Sequence, residues 1–377
     1  MESHSETTRL IQTWLLVCIS LTYCFVTGKL VPAGKMRFLL ISPVVILFLL
    51  LPLRLTSIHL GGSTTFFIAW LGTFKLMLFS FNKGPLSADP SISLPRFLAV
   101  ASLPIKVNPK SDFDGTPGGT SVAETDPSAH SARGYALRAA LLAVVLKLYD
   151  YKDRLHPTAI LFLYSLHLYI GLELILAVVG AAARAGFGLE LEPQFNEPYL
   201  ATSLSDFWGR RWNLVVTSIL RPTVYEPVTS LLAGSMGREK AQPVAVLATF
   251  AVSAIMHELM MFYLSRLIPT GEMSAFFLLH GACVVAERAV ARRMRGRWKV
   301  PRLVASFLTI WFVLSTGFWL FYPEFIRGKA LVRAFEEYAL VGEFLESVIN
   351  GTLFRSFDGN VFIPKFFEHV QQVRLSQ

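Results

Sequence analysis

Apolar residues in this chain come in long, nearly unbroken runs separated by shorter polar stretches. Crossing a hydrocarbon core takes about 20 helical residues, and about eight runs approach that length. They lie at 10–27, 37–55, 60–81, 134–149, 157–183, 243–268, 273–290 and 302–322. The pattern predicts an all-α, polytopic integral membrane protein with about eight transmembrane helices. A further apolar stretch, 92–105, is interrupted by Pro95 and Pro104 and carries Arg96. It reads as interfacial or re-entrant, because backbone freed by proline is not tolerated facing lipid.

Composition points the same way. Of 377 residues, 53% are hydrophobic and 16% charged, with a mean hydropathy of +0.50, more apolar surface than a soluble globule can bury. Glu2 and Glu6 outweigh Arg9 ahead of the first run, and no small-residue cleavage site follows it. It is therefore read as a membrane helix rather than a signal peptide. Cys18, Cys24 and Cys283 all lie inside apolar runs and form no CxxC pair, so neither a disulfide framework nor a metal site is expected.

The net charge of +9 would suit a nucleic-acid partner, but its distribution does not. Basic residues fall in alternate loops. The first holds Lys29, Lys35 and Arg37, and the third Lys83, Arg96, Lys106, Lys110 and Arg133. The fifth holds Arg184, Arg210, Arg211, Arg221, Arg238 and Lys240, and the seventh Arg292, Arg293, Arg295, Arg297 and Lys299. The even loops carry only Arg54, then Lys152 with Arg154, then Arg266. The positive-inside rule puts the odd loops in the cytosol and the N-terminus on the far side. The tail 323–377, with Arg327, Lys329, Arg333, Arg355, Lys365 and Arg374, breaks the alternation. Residues 107–133 are rich in Pro, Gly, Ser and Thr and read as a flexible cytosolic loop. No internal repeat is visible, and 1–377 reads as a single membrane domain.

One polar stretch stands out, "NEPYLATSLSDFWGRRWN" at 196–213. Ser203 with Asp206 three residues on resembles a capping box, and Pro222 ends the helix that begins there, giving an expected interfacial helix within 196–222 of roughly 18 residues. On a wheel of 100° per residue, Leu204, Phe207, Trp208, Trp212, Val215, Val216 and Ile219 share a broad side. Asp206, Arg210, Asn213 and Thr217 form a narrow strip opposite, and Arg211 intrudes on the apolar side, from which it would snorkel outward. Asp206 and Arg210 are spaced for a helix-stabilising pair. Asn213 gains a use if that strip faces a cavity.

The run 243–268 places His257 and Glu258 near its centre. Ionisable residues at that depth cost about 2.5–3.5 kcal/mol on insertion scales and face a cavity or a partner. His257, with the small residues Ser253 and Ala254 one turn earlier, is the leading candidate for chemistry. Glu258 points about 100° away and reads as structural. His167, Glu173, His280 and Glu287 are explained as well by helix-to-helix hydrogen bonds as by a proton relay. Lys75 reads as structural, its stem snorkelling to the cytosolic side. No HHxxxDG, HxxxxD, GxSxG, Walker A or GxGxxG pattern occurs.

Asn213 followed by His257 in "VSAIMHELMMFYL" resembles the plant wax synthase branch of the membrane-bound O-acyltransferases. The similarity extends to "FKLMLFSFNKGPL" at 74–86, "FLAVASLPIK" at 97–106 and "FFLLHG" at 276–281. It implies helices enclosing a catalytic chamber, His257 as the catalytic residue within the helix 243–268, and Asn213 in support as orienter or oxyanion donor. It implies acyl-CoA as co-substrate entering from the cytosol, with no other cofactor and no metal. A fatty alcohol or sterol acceptor would come from the membrane lipids, in the endoplasmic reticulum. Long-chain alcohol esterification to wax ester is the expected activity, with sterol acylation and diacylglycerol acetylation as alternatives within the branch. Arg210 and Arg211 are candidates for the CoA phosphates. A lipid transporter would show inverted repeats or interrupted helix pairs. A non-catalytic lipid-binding scaffold would have no need to keep Asn213 and His257.

Overall fold

The computed structural model describes residues 6–106, 131–189, 191–294 and 300–349, the stretch 340–349 by its backbone alone. The described residues are helical, with no strand. In chain order the helices are α1 (Glu6–Leu30), α2 (Lys35–Arg54), α3 (Ile58–Ser80), α4 (Leu94–Ser102), α5 (Ala132–Leu148) and α6 (Pro157–Phe187). There follow α7 (Leu204–Asp206), α8 (Leu214–Leu220), α9 (Glu226–Met236), α10 (Arg238–Ser265), α11 (Glu272–Met294), α12 (Arg302–Arg327) and α13 (Ala330–Ile349). Among them, α1, α2, α3, α6, α10, α11 and α12 are the seven long and apolar enough to cross a membrane. The eighth expected span is α5. It forms, but has 17 residues and carries Arg133, Arg138 and Lys147.

Contacts between loops define two ends of the bundle. At one, Gly34 N–H donates to the Ser80 carbonyl, Arg37 donates to the carbonyls of Gly28, Val31 and Phe79, and Ser306 donates to the Leu200 carbonyl. At the other, Glu6 accepts from the backbone N–H of Thr56 and Ser57, and Arg266 donates to the carbonyls of Pro52, Leu53 and Leu55. Short as it is, α5 runs between these ends: Tyr135 lies beside Leu191–Phe195, whereas Tyr149 packs on Phe335 of α13. The order of ends along the chain is therefore the one that eight crossings give.

Part of the tail that broke the charge pattern sits at the second end. Arg333 donates to the carbonyls of Leu264 and Thr56, and Arg327 pairs with Glu324, so these charges are spent inside the protein. Glu337 there accepts from the backbone N–H of Ile58 and His59 and from the His59 ring. Burial pushes its carboxyl up, but those hydrogen bonds outweigh it and hold the group below the usual carboxylate range. The expected loop 107–133 falls almost wholly outside the described residues, as do Arg295, Arg297, Lys299 and the tail beyond 349.

The centre of the molecule is α3. Of its most apolar window 83% is buried, against 17–33% for the other six candidate spans, so it is walled by protein while they stand at the periphery. Its middle, Thr65–Gly72, widens into a π-helical stretch whose residues are all buried. The stretch 92–105 packs inside the protein. Helix α4 turns into the core, where Phe97 packs edge-on against Phe25 and Phe79, at 5.3 and 5.1 Å between centroids.

Lys75 corrects the expectation of a snorkelling side chain. It is fully buried, and its Nζ donates to the carbonyls of Val100 and Leu103 at 2.7 and 2.6 Å. Both oxygens belong to the C-terminal turn of α4, which lacks intrahelical donors. The ammonium thus supplies the bonds a solvated helix end takes from water.

Candidate active site

His257 sits on α10. Its Nδ1 lies 2.8 Å from the Ser253 carbonyl oxygen one turn earlier. A carbonyl only accepts, so Nδ1 carries the proton and Nε2 presents a lone pair. The ring is walled by aromatics from two other helices: Phe277 of α11 stacks on it with centroids 4.0 Å apart, and Trp70 of α3 meets it edge-to-face at 4.8 Å. Phe321 of α12 stands further off, at 6.4 Å. The imidazole is nonetheless only half-buried, so it is walled without being sealed. Two of its neighbours come from π-helical stretches, Trp70 from Thr65–Gly72 and Phe321 from Gly317–Phe321. Such wide turns recur at functional sites because they redirect side chains that a regular helix would carry past.

Glu258 has a different task, as its place on the helix suggested. Its Oε1 accepts from Ser274 N–H in the first turn of α11, where a carboxylate is favoured by the exposed donors and the helix dipole.

The stretch 196–213 folds otherwise than the wheel requires. Ser203 caps as expected, its Oγ accepting from Asp206 N–H at 3.0 Å, while Asp206 reaches back to Thr202 N–H rather than to Ser203. Helix α7 then widens into a π-turn at Phe207–Arg211 and stops. Trp212 is extended and Asn213 is left-handed, at φ 42° and ψ 67°. The chain re-enters a helix only at Leu214. No continuous helix runs from Ser203 to Pro222, and Pro222 does not end the one that starts at Leu214, which continues through a π-helical stretch at Arg221–Tyr225 into α9. The polar strip through Asp206, Arg210, Asn213 and Thr217 therefore does not exist as one face. Asparagine at the break is intelligible, since its short side chain tolerates the left-handed region and can cap the N-terminus of α8. Asn213 Oδ1 accepts from Val216 N–H at a long 3.4 Å.

Arg211, expected to snorkel, is tied inward. It donates to Asp206 at 2.8 Å and to the carbonyls of Asn196 and Glu197, bracketing the loop before α7. Arg210 also bonds Asp206, at 3.1 Å, but its side chain is 70% exposed.

No hydrogen bond joins Asn213 to His257 among the described residues. The two are linked through rings. Trp208, in the π-turn, packs on Phe277 at 5.7 Å, and Phe277 stacks on His257. The carbonyl of Trp208 accepts from Thr217 of α8, which holds the π-turn to the helix that Asn213 caps.

The remaining intramembrane polar residues tie helices together. Glu173 pairs with Arg138 of α5 at 2.8 Å. His167 lies 3.1 Å from the Tyr338 hydroxyl of α13. Glu287 accepts from Leu204 and Ser205 N–H at the start of α7, and His280 bonds Trp208 and Thr316. Trp70 and Phe321 lie inside the apolar runs 60–81 and 302–322, which do not single them out, and their only local signal is the aromatic density of "TFFIAW" and "GFWLF". The described residues contain no cluster of His, Cys, Asp and Glu able to hold a metal ion.

Comparison with known proteins places this arrangement. The model of the "Membrane bound O-acyl transferase family" matches residues 191–279, a span that contains both Asn213 and His257. The chain is 47% identical over 339 residues to acyl-CoA–sterol O-acyltransferase 1 of Arabidopsis thaliana, covering 90% of this chain and 96% of that protein. It is 40% identical to the long-chain-alcohol O-fatty-acyltransferase of Simmondsia chinensis over 94% of this chain and 99% of the relative. To the probable long-chain-alcohol O-fatty-acyltransferase 3 of Arabidopsis thaliana it is 39% identical over 90% and 96%. With similarity at this level along nearly the whole of both chains, the protein belongs to the membrane-bound O-acyltransferase family.

Proposed function

We propose that this protein is an acyl-CoA-dependent O-acyltransferase that esterifies a long-chain alcohol of the membrane to a wax ester. The observation that carries the reading is His257, an imidazole with its Nε2 lone pair free, deep among membrane helices and walled by aromatic rings. Nε2 takes the proton of the acceptor hydroxyl as its oxygen attacks the thioester carbonyl carbon. The carbonyl electron pair moves onto oxygen and then returns to expel the CoA sulfur, which takes the proton from Nε2. Acyl-CoA and alcohol thus become ester and free CoA, with no covalent acyl-enzyme. Trp70, Phe277 and Phe321 keep water from competing with the alcohol. Asn213 orients the imidazole or donates to the developing oxyanion.

A sterol acceptor is the second reading, favoured by the 47% identity to the sterol acyltransferase. Lipid analysis decides between them. The protein is expressed in a host unable to make neutral lipids, fed fatty alcohols, then sterols, and separately assayed for acetyl transfer to diacylglycerol. Wax ester from the fatty alcohols alone is the expected outcome; sterol ester alone would overturn the choice of acceptor.

The positive-inside rule supports an acyl-CoA end of the site at the end of the bundle that holds Arg37, Arg210, Arg211 and Arg292, facing the cytosol from the endoplasmic reticulum. A glycosylation tag after Met294 should stay unmodified, and one beside Arg266 should be modified; the reverse pattern would overturn both the topology and the side of entry. Arg210, with its exposed guanidinium, is the candidate for a CoA phosphate. Arg210→Ala should raise KM for acyl-CoA severalfold with kcat held. An unchanged KM would leave Arg210 as no more than the partner of Asp206.

A further inference from the structure

We propose that His280 is a positioning residue for this reaction, holding Trp208 through a directed chain of hydrogen bonds that runs on through Thr316 to a backbone carbonyl. The inference rests on the reading of His257 as the base. His280 is completely buried in α11, in the same aromatic cluster as the site yet without contact to the His257 ring.

The direction of the chain is set by which atoms can donate. An indole N–H only donates, so at 3.0 Å from Trp208 Nε1 the Nδ1 of His280 must be a bare lone pair. The proton then sits on Nε2, which donates to Thr316 Oγ1 at 2.9 Å. Thr316 passes its own hydroxyl hydrogen to the Phe312 carbonyl at 2.8 Å. The Thr316 hydroxyl also lies 3.2 Å from the Val313 carbonyl. Both carbonyls only accept, so Oγ1 gives its hydrogen to them and accepts from Nε2, and His280 is fixed as the neutral Nε2–H tautomer. A second proton on the ring would face N–H against N–H at Trp208. While the chain is intact His280 therefore cannot relay protons, which removes one of the two readings its buried position allows.

The group held by this chain is Trp208. The indole touches Phe250 of α10 at 5.9 Å and Phe276 and Phe277 of α11 at 6.2 and 5.7 Å, and Phe277 is the ring stacked on His257. A second contact keeps this corner tight. Gly281, next to His280, lies so near Phe250 that a Cβ there would come within 2.9 Å of its side chain. The segment that ends in Asn213 is thereby pinned to α10, which carries the base, and to α11, which supplies the ring stacked on it. A misplacement of reacting groups by about 1 Å can cost about a hundredfold in rate, so the pin matters to turnover although none of its atoms reaches the substrate.

The test is a double-mutant cycle in microsomes, with kcat and KM for acyl-CoA normalised to accumulated protein. Trp208→Phe keeps a ring and loses the donor. Thr316→Val keeps the shape and leaves Nε2–H unpaired, and His280→Ala removes both bonds. Each should lower kcat, by about tenfold to a hundredfold for Trp208→Phe and His280→Ala, with KM for acyl-CoA changed less than about twofold. The double variant should be no slower than the slower single one. His280→Asn, which restores an acceptor near Nδ1, should recover part of the loss. Should His280→Ala fail to accumulate, Trp208→Phe with Thr316→Val completes the cycle. Losses that multiply, or an unchanged kcat in Trp208→Phe, would overturn the role. A wild-type chain inactive toward every acceptor would instead overturn the functional reading, and this role with it.

Discussion

His257→Ala is expected to abolish ester formation while the protein accumulates normally in membranes. General-base assistance is typically worth about 10²–10⁴ in rate, and among the described residues no other free imidazole lone pair lies beside the aromatic wall. The nearest histidine in the cluster, His280, has both nitrogens engaged, and the neighbouring carboxylate of Glu258 is turned to the N-terminus of α11, where its Oε1 accepts from Ser274 N–H. Nothing is placed to substitute. The fold has little reason to fail. The hydrogen bond lost is one from the ring to the Ser253 carbonyl of the same helix, alanine is the best helix former, and the ring is only half-buried. Microsomes supplied with labelled acyl-CoA and a fatty alcohol, with protein measured by immunoblot, give the result directly. Ester formed at the wild-type rate and protein level would remove His257 from the chemistry.

The spans were legible because a membrane helix is set by a property summed over about 20 residues, which tolerates error at any one of them. Loop charges supplied the alternation of ends for the same reason. Features decided by single residues were less so. Nothing near Lys75 shows that the C-terminal carbonyls of α4 lie across from it, because the partners are 25 and 28 residues further on. The π-helical stretches leave no trace in a 100° wheel, which presupposes the regular turn they break; hence Trp70 read as one more apolar residue. The same assumption carried the 196–213 wheel through Trp212 and Asn213, where the chain turns left-handed. His280 was visible as a buried histidine within "FFLLHG", but its partner Trp208 lies 72 positions earlier.

Asn213→Asp is expected to lose about a hundredfold to a thousandfold in kcat with little change in KM for acyl-CoA, and the break at Asn213 is what makes this variant informative. Alanine there would confuse two effects. It removes the cap on α8, worth about 0.5–2 kcal/mol, and forces a residue with a Cβ and no compensating polar group into the left-handed region, for about 1–2 kcal/mol more. A drop in activity would then report folding as readily as chemistry. Aspartate keeps a side-chain oxygen for Val216 N–H, tolerates the same backbone angles and places its negative charge at a helix N-terminus, where it is favourable. It lacks only the amide N–H₂. If that group orients His257 or donates to the oxyanion as charge develops on the thioester oxygen, its loss acts in the transition state and falls on kcat, and the new carboxylate repels the same charge. If Asn213 is only a cap, Asn213→Asp should fold and turn over like the wild type, whereas Asn213→Ala should accumulate poorly and retain its rate per molecule. Thermal melting in detergent beside initial rates in microsomes separates the two. A fully active Asn213→Asp enzyme would leave His257 to act with the aromatic wall alone.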